Sequence, residues 1–279
     1  MSHADGAVRH ASGWQLLALF VTALLLFVVW RWQPEPWLRS TIAESLRPYH
    51  MTLEYQKLET AGLAIRLEGV RISSDSLPLP LQLDSIRLAP DWLSLLQLRP
   101  AAHLTLLWNG VDVQATLSRS DQAIELADMH ASAAAEALSA QFSGMLPVQP
   151  GGELQLSGTL QIDPVSGRPL NGSLQGIWQQ ASLLFPGAKE SLGNYTLALK
   201  HDGQGNSWQW QLTGGTAVVL HGTGTLAIPS NLPQQWQLAG DVGIVAGASV
   251  SATLQSMLQQ PLRFSLAGSL MAPRLQLQR

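Results

Sequence analysis

Apolar and polar residues alternate with a period of two along most of the chain after residue 50. Successive side chains of a β-strand point to opposite faces, so this alternation predicts strands with one apolar and one polar face. The polar positions are mostly Gln, Ser and Thr, which predicts an antiparallel sheet wet on one side. The apolar sets assigned to strands are Leu63/Ile65/Leu67, Val70/Ile72, Leu79/Leu81/Leu83, Ile86/Leu88, Leu104/Leu106/Trp108, Val111/Val113/Ala115/Leu117, Tyr195/Leu197/Leu199, Trp208/Trp210/Leu212, Leu226/Ile228, Trp236/Leu238, Val250/Ala252/Leu254, Leu262/Phe264/Leu266 and Leu275/Leu277.

Four local features interrupt the alternation. A phase slip at Gly69 predicts a β-bulge, and the dipeptide Asn109-Gly110 predicts a tight hairpin. Residues 90–97 predict a short helix, because Pro and Asp open the segment and Pro100 closes it. The Ala-rich stretch 124–138 breaks the period and is interpreted as a loop or a weak helix.

A five-residue pattern recurs in the second half, with an apolar residue, a glycine and another apolar residue at alternate positions. Such spacing places the glycine on the apolar side of a strand and removes bulk there, which favours a curved antiparallel sheet. The pattern occurs as FSGML at 142–146, LSGTL at 156–160, LNGSL at 170–174, LAGDV at 238–242 and LAGSL at 266–270.

One uncharged segment near the N-terminus predicts a transmembrane helix over 14–32. Its length approaches the ~20 residues needed to span a bilayer, and tryptophans stand at both ends, as in an interfacial aromatic belt. A cleaved signal peptide is the alternative, but no small-residue cleavage site follows the apolar run. The predicted anchor residues are Trp14, Leu16, Leu17, Leu19, Phe20, Leu24, Leu25, Leu26, Phe27 and Trp30.

This helix would divide the chain into four parts. Arginines flank both ends of the helix, so the charge rule leaves its orientation open, and the short tail 1–13 favours a cytoplasmic N-terminus. Residues 33–50 are then a juxtamembrane linker with a short helix, and 51–279 form a β-rich domain in the periplasm. We therefore expect a single-pass protein of the inner membrane.

Composition narrows the classes of function. Hydrophobic residues make up 46% of the chain and charged residues 13%, with a net charge of -3 and no lysine or arginine cluster. The counterion release that drives nucleic-acid binding has no source here, so we exclude nucleic acid as a partner. The chain has no cysteine, which excludes disulfides and thiolate metal sites.

No motif for catalysis, cofactor binding or metal binding is present. His201-Asp202 is the closest to a catalytic pair, but a solvated turn is favoured there. Gly222-Thr-Gly224 resembles a phosphate loop superficially, and a turn or bulge between strands is the favoured interpretation. The sequence therefore predicts no enzyme, no cofactor and no metal, and it points to the apolar sheet face and the strand edges as working surfaces.

Strand motifs in the second half resemble the type II secretion system protein N family of Gram-negative bacteria. The similar stretches are LNGSLQGIW at 170–178, ASLL at 181–184, LGNYTL at 192–197 and LHGTGTL at 220–226. The resemblance implies an accessory inner-membrane subunit that acts through protein contacts in the periplasm while folded proteins are exported. Trp208, Trp210 and Trp236 are candidates for the contact surface, but a place in the core is the favoured interpretation, because alternating aromatic residues usually point inward.

A weaker resemblance connects the chain to the AsmA/TamB group of bridge-like envelope proteins. The similar stretches are LDSIRLAPDWLSLL at 83–96, LTLLWNGVDV at 104–113 and LAGSLMAPRL at 266–275. This resemblance implies an alternative function, in which lipid acyl chains bind or move along a hydrophobic groove of the sheet.

Overall fold

The computed structural model describes residues 40, 42, 44, 51–61, 64–74, 80–96, 100–120, 122–137, 149–185, 188–203, 205–251, 255–256 and 258–278. The chain divides into two compact units, Met1–Thr52 and Leu53–Arg279. In the first unit, Ser40, Ile42 and Glu44 are helical. The predicted membrane segment 14–32 lies outside the described residues.

Fifteen strands form one antiparallel sheet in the described part of the chain. They are β1 (Met51–Glu54), β2 (Lys57–Ala61), β3 (Ala64–Ser74), β4 (Leu81–Pro90), β5 (Ala101–Trp108), β6 (Val111–Arg119), β7 (Ile124–Ala134), β8 (Gln149–Ile162), β9 (Pro169–Phe185), β10 (Ala188–His201), β11 (Ser207–Gly214), β12 (Val218–Ala227), β13 (Gln237–Ala246), β14 (Leu262–Ser269) and β15 (Ala272–Gln278). Short helical elements interrupt them, among them α1 (Trp92–Leu96) and a 3₁₀ turn (Pro233–Gln235).

The topology is an up-and-down meander. From β3 to β15 every strand pairs with the next one in sequence, while β1 and β2 both pair with β3. The sheet is open, because β15 pairs only with β14 among the described residues. Within the described residues, no helix is both long and apolar enough to cross a bilayer.

The apolar side chains gather on one face in three buried clusters. The first is centred on Leu67, Val70 and Leu83, the second on Ala181, Leu192 and Tyr195, and the third on Trp208, Leu226 and Ile228. Leu160 of β8 packs against the third cluster, although its strand lies three places from that of Trp208. The strands therefore bend around this cluster.

One of two local predictions is confirmed in full. Gly69 has a left-handed φ of 61°, and Leu67 and Val70 on either side of it enter the same cluster, so the change of phase is present. The predicted β-bulge is not found between β3 and β4, because these strands pair in one register from Ile65 to Ile72. Asn109 and Gly110 both have positive φ, as a two-residue type I′ hairpin requires.

Two predictions about strands are wrong. Residues 124–134 form β7, because their alanines and leucines pair with both neighbouring strands, and a register shift near Asp128 (φ 49°) hides the period of two. Within the stretch interpreted as a loop or weak helix, residues 135–137 are helical. Val250 lies outside any strand, and Ala252–Leu254 are not described.

Candidate functional site

The sheet register joins one residue from every strand between β3 and β15 into a continuous cross-strand row. Each pair of neighbours in this row is directly opposed in the sheet, and each member is apolar or glycine. At ~4.8 Å per strand the row extends on the order of 55 Å. We call it the apolar row: Leu67, Ile86, Leu106, Val113, Ala131, Leu156, Gly176, Leu197, Leu212, Gly222, Val242, Phe264 and Leu277.

Apolar rows also flank this row on both sides in the second half of the sheet. One flanking row contains Leu154, Trp178, Tyr195, Gly214, Leu220, Ile244 and Leu262. The other contains Gly158, Leu174, Leu199, Trp210, Gly224, Gly240, Leu266 and Leu275. The apolar surface is therefore three residues wide over these strands.

A hollow of about 520 Å³ opens on the apolar row where it crosses β5 to β11. This volume is within the range of ~300–1,000 Å³ that ligand pockets commonly have. Among the described residues, none with a charged side chain lines it. Leu156 and Leu197, which border it, are 37% and 46% exposed, so part of the apolar face is open to solvent.

Two aromatic residues at one side of the hollow have their polar atoms satisfied by the backbone. Trp178 donates its indole N–H to the carbonyl of Gly151 (3.0 Å), and Tyr195 donates its hydroxyl to the carbonyl of Val218 (2.7 Å). The two rings lie 5.8 Å apart. Burial raises the pKa of the Tyr195 hydroxyl, so these residues present only carbon to the hollow at neutral pH.

The glycines of the apolar face have two different structural roles. A Cβ at Gly158 would lie 2.1 Å from the carbonyl oxygen of Ser173, and one at Gly240 would lie 2.4 Å from that of Thr223. At these positions the neighbouring backbone is too close for any side chain. At Gly176 the nearest atom is the carbonyl oxygen of Leu197, 3.8 Å away, so the backbone does not require glycine there.

The sequence-predicted Trp surface lies mainly in the interior. Trp208 is 1% exposed and Trp210 is 7% exposed, and Trp236 is half-buried against the Trp208 cluster. The Trp210 indole lies against Gly222, Gly224 and Gly240 and donates its N–H to the carbonyl of Ala239 (3.1 Å). Trp208 and Trp236 therefore share a cluster, whereas Trp210 packs separately against these three glycines.

The same contacts correct the interpretation of Gly222-Thr-Gly224. These residues stand in the middle of β12 and pair on both sides with β11 and β13. Gly222 and Gly224 have no room for a side chain, because a Cβ at either position would crowd both the β13 backbone and the Trp210 ring. His201 ends β10 and Asp202 follows it before a turn. The His201 imidazole accepts the backbone N–H of Gly203 and is hydrogen-bonded to the carbonyl of Gly205.

Charged groups lie mainly on the opposite, polar face and at the turns. Arg66 and Glu68, two residues apart on β3, form a partly exposed ion pair with 3.1 Å between nitrogen and oxygen. In the described residues, no three His, Asp or Glu side chains converge as metal ligands.

Sequence reasoning missed Gly176 and its place in the apolar row. The signal was present, since Leu174, Gly176 and Trp178 repeat the pattern of an apolar residue, glycine and an apolar residue at alternate positions. What the sequence does not contain is the register that places Leu156 and Leu197 on either side of this glycine.

Comparisons with protein-family models, with curated proteins and with solved structures find no match to this chain.

Proposed function

We propose that this chain binds lipid acyl chains along the apolar face of its sheet, as an envelope protein tethered to the inner membrane by residues 14–32. The observation that carries the proposal is the apolar row, which crosses the sheet from Leu67 to Leu277 without a polar residue. A globular core would cover such a row with a second layer. Here the middle of the row borders a hollow and keeps exposed leucines.

The energetics favour an apolar occupant. Burial of apolar surface contributes about 25 cal/mol per Å² to the free energy of binding. An acyl chain that covers exposed leucines such as Leu156 and Leu197 is therefore bound favourably. The described lining of the hollow contributes no ion-pairing partner, so a charged occupant would lose its hydration without compensation. A curved sheet with a lipid chain in its concave side meets both conditions.

Native mass spectrometry of the full chain, released from detergent micelles, tests this proposal. We expect phospholipid to remain bound to the wild-type chain. Leu197→Gln should weaken the affinity for lipid about tenfold, which corresponds to ~1.4 kcal/mol, and so lower the lipid-bound fraction. Leu107→Gln is the matched control, because Leu107 is 40% exposed but faces the polar side beside Ser85 and Asp112. A wild-type chain free of lipid would contradict the proposal.

A second candidate function is the contact role in type II secretion, and the edge strand β15 supports it. All seven residues of β15 are exposed, including Leu275 and Leu277, and its outer edge is unpaired among the described residues. An exposed edge with apolar side chains suits a partner that adds a strand of its own. In this case the partner would be another subunit of the secretion machinery.

The second candidate predicts that a charge on this edge blocks the contact, because charged side chains on edge strands oppose strand addition. We expect Leu277→Lys to abolish site-specific crosslinking from β15 to secretion subunits and to reduce export of the secreted proteins. Intact export in a deletion strain, with no secretion subunit recovered by pull-down, would contradict this function and leave lipid binding untouched.

A further inference from the structure

We infer that Gly176 selects the occupant of the hollow and that the notch at this residue admits one linear acyl chain. This inference rests on the proposed function. Gly176 is surrounded by four large apolar residues, Leu156 and Leu197 across the strands and Leu174 and Trp178 along its own strand. A missing side chain among four large ones leaves a notch in the apolar surface.

The backbone gives no reason for a glycine at this position. Gly176 does not have a left-handed φ, and a Cβ there would meet only ordinary contacts at 3.8 Å or more. By contrast, Gly222 in the same row would place its Cβ 3.0 Å from both the Trp210 ring and the carbonyl oxygen of Asp241. Gly222 is therefore explained by packing within the protein, whereas the space at Gly176 is filled by nothing in the described structure.

The chemistry of the notch identifies its occupant. The uncharged lining excludes an ionic group, and the polar atoms of Trp178 and Tyr195 already have backbone partners. The notch lies between strands two places apart, which are ~9.6 Å from each other. With leucines on both sides, the remaining gap is about one side chain wide, so it suits a linear chain better than a branched or ring-shaped lipid.

Photolabelling of the full chain in detergent micelles tests this assignment, with a palmitate that carries a mid-chain diazirine as the probe. We expect the wild type to be labelled in β8 to β10, with unlabelled palmitate as competitor. Gly176→Leu should reduce specific labelling at least tenfold because its side chain fills the notch, and Gly176→Ala should reduce it less than threefold. Ser173→Leu adds bulk on the polar face of the same strand, where Ser173 is exposed, and should leave labelling unchanged.

A compensating pair separates a filled notch from a damaged fold. Gly176→Leu combined with Leu197→Gly should restore labelling to within threefold of wild type, which a merely structural defect would not allow. Leu197→Ala alone should widen the notch and raise labelling by a methyl-branched probe. Equal labelling of the wild type and a folded Gly176→Leu chain would overturn the inference while the proposed function stands. Absence of competable labelling in the wild type would overturn both.

Discussion

At the scale of single residues, the apolar face is organised by glycines that accommodate large side chains. Trp210 packs on Gly222, Gly224 and Gly240, and its N–H reaches the backbone at Ala239. The sequence predicted that the glycines of the recurring five-residue pattern lie on the apolar side, and the register confirms it for Gly158, Gly172, Gly240 and Gly268. It could not predict which glycines are filled by the protein itself, because that depends on cross-strand neighbours far away in sequence.

Alanine substitution should distinguish the two roles of glycine. Gly240→Ala would place its Cβ 2.4 Å from the Thr223 carbonyl oxygen and 2.4 Å from the Trp210 ring, so we expect it to lower the free energy of unfolding by about 1–3 kcal/mol. Gly176→Ala is the control and should stabilise the fold by ~0.5 kcal/mol, because it restricts the unfolded chain without native strain. Urea denaturation measures both. Equal effects of the two variants would contradict this division.

Tyr195 should make the stability of the fold depend on alkaline pH. Burial raises the pKa of its hydroxyl, so the folded state holds this proton more tightly than the unfolded state does. The resulting stability is complete below the ordinary tyrosine pKa of ~10 and is lost as the pH rises through the higher folded value. Tyr195→Phe should therefore show a smaller fall in the free energy of unfolding above pH 10. A wild-type curve parallel to that of the variant would exclude this contribution.

At the scale of strands and turns, the sequence predicted an element correctly where its end residues or its alternation of apolar and polar positions were regular. The helix expected over 90–97 is present as α1, where Asp91 accepts the backbone N–H of Leu93 (3.1 Å). In contrast, β7 was missed because a bulge near Asp128 and its many alanines conceal the alternation. Period and turn residues were thus sufficient for regular strands but insufficient for a strand with a register shift.

The β5–β6 hairpin offers a clean test of turn chemistry. Gly110 has a φ of 81°, and the nearest atom to a methyl group added at this residue would be the Ala137 Cβ at 3.9 Å. Gly110→Ala should therefore lower the free energy of unfolding by about 1–2 kcal/mol. The loss would come from backbone strain alone, because the added methyl group meets no crowded contact. Thermal or urea unfolding would measure the loss. A free energy of unfolding unchanged from wild type would show that the turn relaxes into another conformation.

At the scale of the whole molecule, the meander makes each strand depend mainly on its two neighbours in sequence. The longest strands, β8, β9 and β10, with 14, 17 and 14 residues, stand together near the middle of the sheet. The terminal strand β15 has 7 residues, all exposed. Short turns join most neighbouring strands, whereas longer segments join β7 to β8 and β13 to β14. The apolar row emerges only when all the registers are combined.

This arrangement predicts a gradient of local stability across the sheet. In repeat-like folds the stability is roughly a sum of nearest-neighbour terms, so elements open separately rather than all at once. We expect hydrogen exchange to be fastest in β15 and slowest in β8 to β10, where long strands are paired on both sides.

Because a ligand stabilises the state that binds it, added palmitate should slow exchange further in the strands that line the hollow, β5 to β11, and leave β15 unchanged. Exchange at one common rate from β3 to β15 would instead indicate a single cooperative unit, and protection by palmitate confined to β15 would move the binding surface from the hollow to the edge.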